Sequence, residues 1–419
     1  MADPTERGTL GFEFEFFPTA IAQWTVDDIQ KYINAENDWH GSKIDGSETL
    51  EQLAQIYPGI LVLPGEARWG KGPFIYPHII NYLRERGVHT NDINDTIEPT
   101  LPADQALRAQ PTPFAENVFK ELYHRWSVTD DGSVNFRGTF DPEAQNPRDS
   151  YFEAEMRSCG GVELISPALT DSPESFAEVK RVFTLVRDLD FIHVNNTCGL
   201  HVHAAFGKHP ITIAPLRKIA SLLFALDPLL SSLRPDSRSG NAHCLSIRKF
   251  SNAARGYRLV DAIKGLKNPR KNVVDEDEAD YFMPEPKANV LDWVPIADAV
   301  QAIAECKKPE HVAWLMTTQE RANYDFKKFV DGTFNPTIEF REHEATLDVD
   351  EVLAWGRFCV GVVRYAAHEM SKEDLEKIVG ICHEAETKPE PGRFYLWELF
   401  GLMKMSDIAT GLKVPQPPA

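Results

Sequence analysis

The chain has 419 residues, enough for one large core or two to three domains, and 42% hydrophobic with 26% charged residues is the balance of a globular protein. A net charge of −19 argues against nucleic acid or an anionic membrane as the main partner, but not against a phosphorylated ligand at a locally positive site. The six cysteines are scattered without a CxxC pair, which argues against a zinc site or a disulfide framework, and no apolar run is long enough to span a bilayer.

The opening MADPTERGTL lacks the basic and apolar parts of a signal peptide, so the expected location is the cytoplasm. A first strand is expected over about residues 8–17, where GFEFEF alternates strictly: Phe12, Phe14 and Phe16 on one face, Glu13 and Glu15 on the other. PFIYPHIINYLRERG predicts a helix ending at Gly87, and HRWSVTDDGSVNF a strand, a turn at Asp131-Gly132 and a second strand. CGGVELISPAL is a further strand, followed by a helix capped by Asp171 or Ser172 with Pro173 just inside. FIHVNNTCGLHVHAAF alternates like one strand, and APLRKIASLLFALDPLLSSL reads as a buried helix. Residues 264–288 carry basic residues, then DEDEAD, between prolines, and read as a loop or insertion. Its basic end, with Lys264, Lys267, Arg270 and Lys271, could close over a site. NPTIEFREHEA is a strand, DVDEVLAWGRFCVGVVRYAAHEM a long helix packed by one face, and KVPQPPA a disordered tail. Polar alternation rather than continuous Val/Ile runs predicts an α+β fold: an antiparallel sheet open to a cavity on one face, with helices behind the other.

Four of these strands carry charged or imidazole side chains two residues apart or alone on a polar face. They offer Glu13 and Glu15, Glu163, His201 and His203, then Glu339, Arg341 and His343. Each alone is also what a solvated strand face looks like. Together they are harder to dismiss, because carboxylates converging on one concave surface repel unless cations sit among them. Carboxylate oxygens with one imidazole suit Mg²⁺ or Mn²⁺, phosphate oxygens would complete such a shell, and Arg341 beside Glu339 suits a phosphate clamp. The usual phosphate loops GxxxxGK[ST] and GxGxxG are absent, as is a GxSxG elbow, and Cys198 has no evident base.

In order, GFEFEF, VTDDGS, GGVELISPAL, TCGLHVHAA and TIEFREHEATLD resemble the amidoligases, a carboxylate–amine ligase family similar to glutamine synthetase and glutamate–cysteine ligase. The resemblance covers about residues 8–370. It implies a glutamine-synthetase-like curved antiparallel sheet whose concave face binds ATP and Mg²⁺. It also implies a carboxylate activated as an acyl phosphate and attacked by an amine, so that the partners are a small carboxylic acid and an amine, an amino acid among the candidates.

By motif, the resemblance makes Glu13, Glu15, Glu163, Glu339 and His201 metal ligands. It gives His201 and Arg341 contacts to ATP phosphate, and casts Arg341, His201 and His203 as catalytic. The catalytic domain would be residues 1–370 with insertions at about 25–110 and 264–296, followed by C-terminal helices and tail over 371–419. A phosphotransferase on the same scaffold, an inactive binding protein of the same fold and a metal hydrolase are the alternative readings.

Overall fold

Residues Thr9–Pro18 form β1, and its alternation divides the molecule into a wet side and a dry one. Phe12, Phe14 and Phe16 are buried in the main core, while Glu13 and Glu15 turn to the opposite face. The computed structural model describes residues 8–22, 52, 61–63, 72–91, 124–134, 160–207, 209–235, 238, 241–267, 294–330, 336–387 and 395–415. The expected second strand after Asp131-Gly132, the segment beyond Lys267 with Arg270 and Lys271, and the end of the tail lie outside these residues.

The other strands in chain order are β2 (Ala20–Ala22), β3 (Leu61–Leu63), β4 (Ser127–Asp131), β5 (Gly161–Ile165), β6 (Leu169–Thr170), β7 (Ile192–His193), β8 (Gly199–Ala205), β9 (Tyr324–Asp325) and β10 (Ile338–Glu344). They build one antiparallel sheet in the order β4–β5–β1–β8–β10–β9, with β6 and β7 pairing the ends of β1. The short strands β2 and β3 pair separately, in parallel.

Helices cover the apolar face. They are α1 (Gly72–Glu85), α2 (Pro173–Arg187), α3 (Ile213–Ser231), α4 (Leu259–Lys267), α5 (Ile296–Glu305), α6 (Pro309–Met316), α7 (Val349–Arg364) and α8 (Lys372–Thr387). The Phe183 ring of α2 packs on Phe12, Phe14 and Trp126, and Trp355 of α7 packs on Phe340 of β10. Ser172 caps α2 by accepting from the Ser175 amide, with Pro173 at the first turn, and Asp348 caps α7 in the same manner. Gly87, at φ 75°, ends the turn after α1 where a side chain would be strained. No helix among the described residues is long and apolar enough to cross a membrane.

The architecture is the expected α+β arrangement, with three local differences. FIHVNNTCGLHVHAAF is two strands, because Asn195 Oδ1 accepts from the Thr197 amide and hydroxyl and turns the chain between β7 and β8. Helix α7 is buried on nearly all sides rather than one, since β8 lies under it and the helical turn Ser406–Gly411 lies over it. Lys264 and Lys267 belong to the last turns of α4, not to a loop.

Helix α7 approaches β1 closely at Gly356, where an added Cβ would overlap the Phe12 ring, with Cε1 only 2.8 Å away. Phe12 is fully buried and has no room to retreat. Replacing Gly356 by Ala would favour the helix by about 1 kcal/mol. The overpacking costs about 1–3 kcal/mol and wins. Gly356→Ala is therefore expected to lower the urea midpoint, and an unchanged or raised midpoint would show that α7 can slide.

Candidate active site

Register gathers the polar residues. Glu13 stands opposite His201, Glu15 opposite Glu163, and Glu339 opposite His203. Opposed residues in an antiparallel ladder share a face, and so do residues two apart on one strand. Glu13, Glu15, Glu163, His201, His203 and Glu339 thus rim a single cavity of about 260 Å³, joined by Arg341 and by Asp131, Arg321 and Lys328.

His201 is buried between acids. Its Nδ1 lies 3.6 Å from Glu13 and 3.8 Å from Glu339, and its Nε2 lies 3.4 Å from Glu15. His203 Nε2 is 2.9 Å from Glu13 Oε1, so this nitrogen carries the proton and donates to the carboxylate. Its Nδ1 meets the Thr337 hydroxyl at 3.0 Å and the Lys328 ammonium at 3.4 Å. Glu15 Oε2 accepts from the Gly199 amide at 2.6 Å. That approach needs glycine, because a Cβ at residue 199 would collide with His201 Nε2 and come within 2.8 Å of the Arg238 guanidinium. Glu15 therefore has a structural part of its own, and its removal would leave a buried amide unpaired.

The acids are not held alike. Burial pushes Glu13 up, but His203 and His201 outweigh it and keep its carboxyl well below the usual range. Glu339 is lowered too, burial being overcome by His203, Arg341 and His201. Among the described residues, no cation outweighs burial at Glu163. Burial, then the charges of Glu13, Glu15, Asp131 and Glu339, raise it to about 9.

A β-bulge separates the two ends of IEFREHE. Phe340 pairs with Val202, yet the next pair is His343 with Leu200, so β10 carries an extra residue at Arg341–Glu342. The spacing had placed His343 beside Glu339 and Arg341. The bulge instead turns it to the helix side, fully buried against Trp355 and Glu351, with burial and the Arg234 charge lowering it to about 4. Arg341 stays at the cavity, but as an ion-paired side chain: one guanidinium nitrogen donates to Glu339 and Nε to the His243 carbonyl at 3.2 Å. Behind the sheet, Glu342 accepts from Tyr324 and Ser231, and Arg238 donates to the Arg341 carbonyl. The bulge is thus held by β9, by α3 and by Arg238.

The donor set fits a hard divalent cation. Glu13, His201 and Glu339 offer three ligand atoms within 4.8 Å of one another, and Glu15, Glu163 and His201 offer three more. Oxygen dominates both groups, as Mg²⁺ and Mn²⁺ prefer. Cys198 takes no part: it is fully buried, and burial raises its thiol to about 12.

Asp131, Arg321 and Lys328 carried no spacing signal as site residues. Asp131 reads as a turn residue and does accept from Ser133, but its strand, β4, flanks Glu163 on β5. Arg321 and Lys328 reach the cavity only because β9 pairs with β10.

A family model described as "putative amidoligase enzyme" matches residues 6–259, which include β1, β4, β5 and β8. Strand β10, with Glu339 and Arg341, lies beyond the matched residues but pairs with β8 in the same sheet. No curated protein and no solved structure matches the chain.

The protonated Glu163 makes stability depend on pH. Its folded value, about 9, exceeds the ordinary 4.5, so between these values the folded chain binds the extra proton. Its contribution is complete below about pH 4.5 and is lost as pH rises towards about 9. Glu163→Gln is expected to flatten that decline in urea midpoints of the metal-free protein, and Mn²⁺ to reverse it in the wild type alone. Parallel wild-type and variant profiles would show that Glu163 ionises normally.

Proposed function

We propose that this chain, which belongs to the amidoligase family, joins a small carboxylic acid to an amine in a reaction driven by ATP. The observation that carries this reading is the cavity itself, where acids, two imidazoles and Arg341 converge on one sheet face and Glu163 is raised to about 9 by its neighbours. Such a face suits a ligand that arrives with cations and phosphate together.

In this reading Glu13, Glu15, Glu163, Glu339 and His201 hold divalent cations, Mg²⁺ or Mn²⁺. Bound there, the cations neutralise triphosphate charge and so favour attack by an anion. His201, touching Glu13, Glu15 and Glu339, links the two ligand groups. His203 fixes the orientation of Glu13 through their hydrogen bond. Arg341, anchored by Glu339 and the His243 carbonyl, presents its remaining guanidinium nitrogen to the transferred phosphoryl group.

The substrate carboxylate attacks the terminal phosphorus of ATP. An oxygen–phosphorus bond forms as the bond to ADP breaks, giving an acyl phosphate. The amine then attacks the acyl carbon, phosphate leaves, and the amine gives up a proton. Asp131, at the β4 end of the cavity, is suited to an amine that enters as a cation.

ADP and phosphate release measured against panels of acids and amines tests the assignment. Equal release of both products only when acid and amine are present together is the expected result. ADP without free phosphate would indicate a kinase instead, and phosphate release indifferent to the amine a hydrolase.

Arg341→Lys separates chemistry from binding. It keeps the charge but loses the planar fork and the Nε bond to His243. Turnover should fall about 10²-fold or more, typical of removing one positioned donor, with the KM for ATP little changed. Unchanged turnover with a raised KM would make Arg341 an anchor rather than a catalytic residue.

A further inference from the structure

Strand order sorts charge across the cavity. Asp131 on β4, Glu163 on β5 and the two acids of β1 occupy one end; the Arg341–Glu339 pair of β10 and the flanks of β9, Arg321 and Lys328, occupy the other. The cations at that end differ in what they already hold. Arg341 is committed to Glu339. Neither Arg321 nor Lys328 forms an ion pair with a carboxylate among the described residues, and Lys328 meets only His203 Nδ1, at 3.4 Å. In a chain of net charge −19, two cavity cations without acid partners among the described residues are conspicuous.

Their backbones are fixed. The Arg321 carbonyl accepts from the Leu245 amide at 2.8 Å, the Leu245 carbonyl from the Asn323 amide at 2.8 Å, and the Asn323 carbonyl from the Arg341 amide at 2.8 Å. Asn323 is further tied by its side chain to Asp227 and to the Ile247 amide. Lys328 sits on the single helical turn Lys327–Phe329, just before which Asp325 accepts from the Lys327 amide. The two stems are thus positioned before any ligand arrives, which limits the ordering cost of binding.

We propose that Arg321 and Lys328 form an anion subsite at the β9 end of the cavity, taking a phosphate or carboxylate group of the ligand. This deepens, and rests on, the reading of the cavity as a ligase site. The guanidinium offers a planar fork and the ammonium a point charge, a pair suited to a tetrahedral phosphate or a planar carboxylate. The anion has two sources: the outer phosphates of the nucleotide, or a free carboxylate on one of the two molecules to be joined. In the second case one substrate carries an acid group that is not consumed.

Calorimetric titration of the full chain with Mn²⁺ present, using inorganic pyrophosphate and glutarate as separate probes, distinguishes these sources. Arg321→Gln and Lys328→Gln should each weaken at least one probe by about tenfold or more, as expected for loss of a charged donor. A loss confined to pyrophosphate assigns the subsite to phosphate, and one confined to glutarate assigns it to a substrate carboxylate. Arg321→Gln should keep its affinity for Mn²⁺ alone and its melting temperature, and Arg321→Lys should bind better than Arg321→Gln. Wild-type affinities for both probes in the double variant would overturn the subsite, as would a wild-type chain that binds neither. A fall in Mn²⁺ affinity in step with anion affinity in Arg321→Gln would also overturn it. The ligase reading is decided separately: a wild-type chain that releases ADP and phosphate only with acid and amine, beside a double variant that binds both probes normally, removes the subsite and leaves the ligase.

Discussion

Repulsion among carboxylates on one sheet face is the constraint around which the molecule is arranged. Glu13 and Glu15 are neighbours on one face of β1, Glu163 faces Glu15 from β5, and Glu339 approaches from β10. Nothing in the strands themselves favours that arrangement. The opposite face does: Phe12, Phe14, Phe16, Val162, Leu164, Val202 and Phe340 are all buried, and a slip of one residue in register would send this apolar set into the cavity. Aromatic packing therefore holds the acids together against their own charge. Two imidazoles and one guanidinium relieve part of the strain, through His203 on Glu13, His201 between three acids and Arg341 on Glu339. Glu163 takes the remainder as a retained proton.

The layer behind the cavity solves a different problem. A bulge in β10 would leave backbone and side-chain groups unsatisfied inside the core unless they find partners. Glu342 is met by Tyr324 and Ser231, and Asp227 accepts from Ser231, Ser246, Asn323 and the Arg248 amide. Burial, with the charge of Asp227, raises Glu342 to about 7. The same Asn323 holds the strand segment that carries Arg321 on one side and pairs with the Arg341 amide on the other. The position of the cavity cations is thus set by a polar core that never touches the cavity.

Most of this was legible in the sequence where a period of two could speak. GFEFEF, GVELI and GLHVHAA each state which residues face the core, and pairing the strands was enough to bring Glu13, Glu15, Glu163, His201 and His203 to one face. What stayed hidden has identifiable causes. An extra residue in a strand leaves no mark on alternation, so His343 could be assigned a face only once the pairing with Leu200 was known. The break between β7 and β8 rests on one Asn195 turn inside an otherwise alternating run. Arg321 and Lys328 lie apart from every motif and become neighbours of the acids only through the β9–β10 pairing. The Arg341–Glu339 pair was open to either reading, because residues two apart on a strand can share a ligand or satisfy each other.

Among the described residues the sheet does not close on itself. Among the described residues its outer strands are β4, five residues closing on Asp130 and Asp131, and β9, only two residues long and followed at once by a helical turn. An exposed edge is a template on which a strand from another molecule can add. Here one rim is acidic, and along the other the Leu245 backbone already pairs with Arg321 and Asn323. Among the described residues, the two borders of this sheet are therefore poor seeds for self-association at the places where a bare sheet is most vulnerable.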